Sequence, residues 1–217
     1  MNKEQLRLYL VTDQDAAKGR DLVGVVRQAV AGGVSMVQLR EKTAKTRDFI
    51  ALGQHLMEIL RPMHIPLLVN DRVDFALAIG ADGVHIGQSD KPYILARQIL
   101  GADKIIGLSV ENMDDLKLAN ALDVDYIGVS PVFSTPTKTD TRQPFGLDGL
   151  REAVKRSTHP VVGIGGMNKQ TVASVMRCGA DGIAVVSAIV GAENPMLASR
   201  ELVEIISNTE KLKMNRK

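Results

Sequence analysis

Short apolar, β-branched runs recur along the chain: LYLVTD, MVQLRE, PLLVND, GVHIGQ, IIGLSV, YIGVSPV, PVVGIGG and GIAVVSAI. Between them the apolar residues take helical spacing, as in DLVGVVRQAVAGG, RDFIALGQHLMEILR and LDGLREAVKR. A last helix is expected over about 195–207. Strands that alternate with helices imply βαβ units and a parallel sheet. Several helix-to-strand junctions also resemble one another, among them AGGVSMVQLR, AIGADGVHIG and RCGADGIAVV. Eight such units in 217 residues fit an α/β single-domain (β/α)8 TIM barrel over 1–217, at the short end of that fold's size range. An open doubly wound sheet is the other architecture compatible with the pattern, since periodicity does not prove closure. The basic stretch at about 209–217 is expected to be a frayed, solvated tail.

Polar residues interrupt the pattern mainly where strands end, and strand ends carry the chemistry of a parallel barrel. In VQLREK, period two puts Gln38, Arg40 and Lys42 on one face. Burying two cations there without partners would cost several kcal/mol each, so water or an anion is expected at that end. Strand three ends in Asn70 and Asp71, strand four leads to Gln88 and Asp90, and strand five carries Ser109. Either aspartate alone would more often be a helix N-cap. Two on adjacent strand ends suit one hard cation, Mg2+, which takes a few carboxylates together with water and substrate phosphate. The long FSTPTKTDTRQPFG loop is expected to be a flap bearing Thr135, Thr137 and Lys138. After strands seven and eight, Gly165, Gly166 and Ser187 offer backbone amides and a helix start for a phosphate. The layout therefore has two anion sites. Arg40, Lys42 and Lys138 would face a Mg-bridged diphosphate, and Gly165 with Ser187 would face a lone phosphate. His85 is expected to be a packed barrel histidine outside the site, and His55, His64 and His159 lack zinc-ligand spacing.

Composition narrows the partners. A net charge of +2, from 27 basic and 25 acidic residues, gives no strong field toward nucleic acid or membrane. Aromatic residues are 3% of the chain, too few for base-stacking platforms. No window has the run of roughly 18 apolar residues needed to span a bilayer, and MNKEQLRLYLVTD lacks a signal peptide's apolar run. Small-molecule substrates and a cytoplasmic setting are the expectation, with homo-oligomerisation left open. The one cysteine, Cys178, is expected to be a small buried hydrophobe near a helix end.

From LYLVTD to VVSAI the chain resembles the thiamine-phosphate synthase family. The motifs that carry the resemblance are VQLREK, LLVNDR, ADGVHIGQSD, IGLSV, YIGVSPVFSTPTK and VVGIGGM, in order on the expected strand ends. The resemblance implies a transferase of thiamine biosynthesis that joins hydroxymethylpyrimidine diphosphate to hydroxyethylthiazole phosphate, giving thiamine phosphate and pyrophosphate by a dissociative route. It implies Mg2+ on Asp71 and Asp90, with leaving-group stabilisation by Arg40, Lys42 and Lys138. Asn70 and Ser109 would supply hydrogen bonds, and Gln38 would orient the pyrimidine. Thr135, Thr137, Gly165, Val186 and Ser187 would bind the thiazole phosphate. The sequence departs from the family pattern at KPY, after Asp90, which bears on where the next helix starts. The related thiazole tautomerases carry a His just after the strand-five serine. Here that segment is SVEN, and both aspartates and TPTK are retained. A tautomerase-like isomerase and a non-catalytic thiamine-phosphate-binding barrel are the alternative readings. A phosphate-binding barrel of other metabolism would explain GIGG but not VNDR with GQSD.

Overall fold

The computed structural model describes residues 1–41, 44–88, 90–135 and 143–214. In chain order the elements are β1 (Leu8–Val11), α1 (Gln14–Ala17), α2 (Leu22–Ala31), β2 (Met36–Leu39), α3 (Thr46–Leu60), β3 (Leu67–Asn70), α4 (Val73–Ile79), β4 (Gly83–Ile86) and α5 (Tyr93–Leu100). They continue with β5 (Ile105–Val110), α6 (Met113–Ala119), β6 (Tyr126–Val129), α7 (Gly146–Arg156), β7 (Val161–Ile164), α8 (Val172–Arg177), β8 (Gly182–Val185), α9 (Ser187–Val190) and α10 (Pro195–Met214). The eight strands form a closed barrel in sequence order. All neighbours are parallel, and β8 returns to β1 through Leu8 opposite Ile183 and Leu10 opposite Val185. Closure decides between the two architectures in favour of the (β/α)8 barrel.

The period-two rule explains why the strands read as unbroken apolar runs: both of their faces are buried. On β1, Leu8 and Leu10 pack outward into the layer between sheet and helices. Tyr9 and Val11 point into the barrel, where they meet Met36, Leu68, Tyr126, Val162 and Ala184. The short 3-10 turn Lys3–Leu6 drops a fully buried Leu6 into the same interior cluster at the N-terminal end of the strands. Inside the barrel that end is closed by an apolar plug, and the interior opens at the other end.

Helix α10 packs across α2 and α8 and completes the outer ring. It runs beyond the expected end near 207 to Met214. Over 209–214, part of the stretch expected to fray, Thr209 is buried and Glu210 accepts from Arg7 Nη2 at 2.7 Å. Residues 215–217 lie outside the described residues. Cys178 is buried at the end of α8, as its apolar surroundings in the sequence imply. Among the described residues no helix is long and apolar enough to cross a membrane.

Candidate active site

A cavity of about 720 Å³ opens at the C-terminal ends of the strands. Gln38, Arg40, Asn70, Asp71, Asp90, Ser109, Thr135, Gly165, Val186 and Ser187, each expected from the sequence, all line it. Lys42, Thr137 and Lys138 lie outside the described residues.

On one side stand the tips of β2 to β5. Arg40 Nη1 meets Asp13 Oδ2 at 2.7 Å, both side chains being only 14% exposed. That carboxylate answers the desolvation problem of VQLREK for Arg40. Asp13 also caps α1 through Ala16 N–H at 2.9 Å, and the Arg40 N–H donates to Thr12 Oγ1 at 2.9 Å, so the β1 and β2 tips are stitched together. Among the described residues the expected cationic cluster is thus an Arg40–Asp13 ion pair.

Asp71 follows β3 with φ 61, a left-handed conformation that Asp tolerates better than most residues. Its N–H donates to the His85 carbonyl at 2.9 Å, and Asn70 Nδ2 donates to its carboxylate. The Gly87 N–H donates to Asp90 Oδ2 at 2.7 Å, folding the loop after β4 back toward Asp71. Neither aspartate caps its helix: Arg72 stands at the start of α4 and Pro92 at that of α5. Burial, and then the hydrogen bond and charge of neighbouring Asp90, push the Asp71 carboxyl up to about 7, against the opposing pull of Asn70 and Arg40. Two neighbouring carboxyl groups, of which Asp71 is made harder to ionise by the other, form a donor set suited to a hard divalent ion. Among the described residues no three His, Cys, Asp or Glu side chains converge as a metal cage. Such an ion would need further oxygens from water and substrate.

The facing side is built differently. Gly165 and Gly166 follow β7 with φ 98 and 69, and a Cβ on Gly165 would stand 2.8 Å from Pro131 Cβ. Both backbone conformation and space exclude a side chain there. Val186 precedes α9, whose first residue, Ser187, is exposed. Thr135 lines the cavity from the loop after β6.

The cavity floor holds two tyrosines that the sequence did not single out and a histidine that it placed outside the site. Tyr9 and Tyr126 lie inside the barrel, their hydroxyls 2.9 Å apart. His85, expected to lie outside the site, instead lines the cavity, because its ring is held between the Tyr126 hydroxyl and that of Ser109. Both tyrosines sit within apolar strand runs and read as core. The only sequence signal was an aromatic with a polar atom, which needs a partner once buried.

The family model described as thiamine monophosphate synthase matches residues 8–189. The chain is 52% identical over 203 residues to thiamine-phosphate synthase of Albidiferax ferrireducens, covering 94% of this chain and 93% of that protein. It is 50% identical over 202 residues to thiamine-phosphate synthase of Vibrio campbellii, covering 92% and 98% respectively. The solved thiamine phosphate pyrophosphorylase from Pyrococcus furiosus superposes with a TM-score of 0.88 at 38% identity, covering 95% of this chain and 98% of that one. A 3-hexulose-6-phosphate synthase from Salmonella typhimurium, at 20% identity and a TM-score of 0.72, shares the fold.

Proposed function

The chain belongs to the thiamine monophosphate synthase family, and from that premise we propose how its cavity carries out the synthase reaction. The enzyme is a transferase of thiamine biosynthesis: it couples hydroxymethylpyrimidine diphosphate with hydroxyethylthiazole phosphate, giving thiamine phosphate and pyrophosphate. The observation that carries the site assignment is that two unlike sides, Arg40 with Asp71 and Asp90 on one and Gly165 with Ser187 on the other, line one cavity.

In this reading the bond between the pyrimidine methylene and the diphosphate oxygen breaks first, its electron pair leaving with pyrophosphate. The thiazole nitrogen then donates its lone pair to the methylene cation. No enzyme nucleophile is needed. Arg40, oriented by Asp13, faces the diphosphate and stabilises charge that grows on it. Lys42 and Lys138, assigned from their motifs, do the same. Asn70 orients Asp71, and Ser109 hydrogen-bonds near the reacting end. Gln38 orients the pyrimidine from the cavity floor. Gly165, Val186 and Ser187, with Thr135 and Thr137, hold the thiazole phosphate. Asp71 and Asp90 would hold Mg2+, which when bound supplies positive charge to the diphosphate. Small-molecule substrates and a cytoplasmic setting, without a nucleic-acid or membrane partner, complete the proposal.

The test is one assay of both products, with and without Mg2+. Pyrophosphate and thiamine phosphate should appear in equal amounts and only with the metal. Interconversion of thiazole phosphate isomers without pyrophosphate release would favour a tautomerase, and binding without turnover would favour a sensor.

A further inference from the structure

An unbroken hydrogen-bonded chain crosses the cavity floor through five strands. Gln38 Nε2 on β2 donates to Tyr9 Oη on β1 at 2.7 Å, and Tyr9 Oη lies 2.9 Å from Tyr126 Oη on β6. From there, Tyr126 Oη is 2.8 Å from His85 Nδ1 on β4, and His85 Nε2 is 2.9 Å from Ser109 Oγ on β5. The ends of this chain are the side chains assigned to the pyrimidine and to the reacting end. Its middle is buried: Tyr9 is 1% exposed and Tyr126 0%.

The backbone makes room for the chain. A Cβ on Gly107 would stand 2.2 Å from Tyr126 Cζ, and one on Gly128 would stand 3.1 Å from His85 Cε1. The Tyr9 and Tyr126 rings meet edge-on, with centroids 5.9 Å apart. Two buried phenols cost desolvation that two phenylalanines would avoid, and this is offset only while each hydroxyl keeps its partners. Burial pushes the pKa of both phenols well above the ordinary range, so the two hydroxyls stay protonated and act through hydrogen bonds. Donation by Gln38 Nε2 fixes its amide, leaving Oε1 to accept from a donor on a substrate ring.

We propose that Tyr126, together with Tyr9, is a positioning residue that couples the orientation of Gln38 to that of the Ser109 hydroxyl, so that pyrimidine recognition and the reacting end are set as one unit. This rests on the synthase reading of the cavity. Tyr126 Oη donates to Tyr9 Oη, which also accepts from Gln38 Nε2, so the two halves of the chain meet at the Tyr9 oxygen. Removing the Tyr126 hydroxyl breaks two links together and leaves His85 Nδ1 without that partner.

The experiment compares wild type with Tyr126→Phe, which keeps the ring. Nitrogen-15 NMR of His85 should show one fixed tautomer in wild type and a tautomer mixture in the variant. The variant's kcat should fall about tenfold, the scale of one lost hydrogen bond, with KM for the thiazole phosphate within about twofold. In a Ser109→Ala background the same change should cost less than about twofold in single-turnover pyrophosphate release, because its effect travels through Ser109. A full tenfold loss in that background, or an unchanged His85 tautomer, would overturn the proposal. If Tyr126→Phe does not fold, Tyr9→Phe cuts the next link and is held to the same kinetic criteria. The tautomer measurement needs no turnover. A wild-type protein that released no pyrophosphate would therefore end the synthase reading, while the NMR result still decided whether Tyr126 fixes His85.

Discussion

In the proposed reading the two sides of the cavity solve the same problem, holding a phosphorylated substrate, with different materials. At the tips of β2 to β5 the work falls to charged side chains whose own partners position them: Asp13 for Arg40, Asn70 for Asp71, and the Gly87 N–H for Asp90. At the tips of β7 and β8 it falls to backbone, with Gly165 and Gly166 in conformations that exclude side chains. The difference follows from the bonds each side must handle. A diphosphate that departs gains charge, which rewards preorganised charge and a metal. A phosphate that only anchors its substrate needs donors of fixed geometry and nothing that changes during reaction.

The largest expected effect is on the side-chain side. Chelation of divalent ions should abolish synthesis, by on the order of a thousandfold or more, and Mg2+ should restore it. Undiminished turnover in a metal-free preparation would remove Asp71 and Asp90 from that role. Next in size, Lys138→Ala should lower kcat by on the order of a hundredfold, with little change in the dissociation constant for the pyrimidine diphosphate, because the charge it meets grows only as the bond breaks. An unaltered kcat would leave Lys138 as a solvated loop residue. On the backbone side, Gly165→Val should raise KM for the thiazole phosphate by about tenfold or more and leave the pyrimidine diphosphate within about twofold. Equal weakening of both substrates would mean that the two sides are one.

The smallest expected effect concerns pH. Asp71 titrates near 7 in the fold against an ordinary value of 3.8. Between those values the folded protein binds more protons than the unfolded chain, so the stability held below about pH 4 is lost as pH rises through about 7. A divalent ion opposes this loss by favouring the ionised pair. Mg2+ should therefore raise Tm by a few degrees more at pH 8 than at pH 5, measured by scanning calorimetry. Equal gains at both values would separate the ion from the Asp71–Asp90 pair.

Much of this contrast was legible before folding. Strands buried on both faces write themselves as apolar runs, so Gln38, Asn70, Asp71 and Ser109 stand out at or near their ends by polarity alone. Gly165 stood out because a glycine pair after a strand marks backbone exposure. What sequence could not supply was pairing across distance. Asp13 lies 27 residues from Arg40, and no local pattern links them. Tyr9 and Tyr126 are hidden by the same apolar context that made their strands readable. The chain's end misled in the opposite direction: its basic run suggested solvation, whereas Glu210 is held against Arg7 and Thr209 is buried.

The central claim is that one cavity contains two separate anion sites that can be filled together. Titration calorimetry of hydroxyethylthiazole phosphate into protein saturated with Mg2+ and inorganic pyrophosphate tests it most directly. The account predicts that one equivalent of thiazole phosphate still binds, with a dissociation constant within about threefold of that for the pyrophosphate-free protein. Displacement of the pyrophosphate, with an apparent affinity for thiazole phosphate that falls in proportion to the pyrophosphate present, would contradict it.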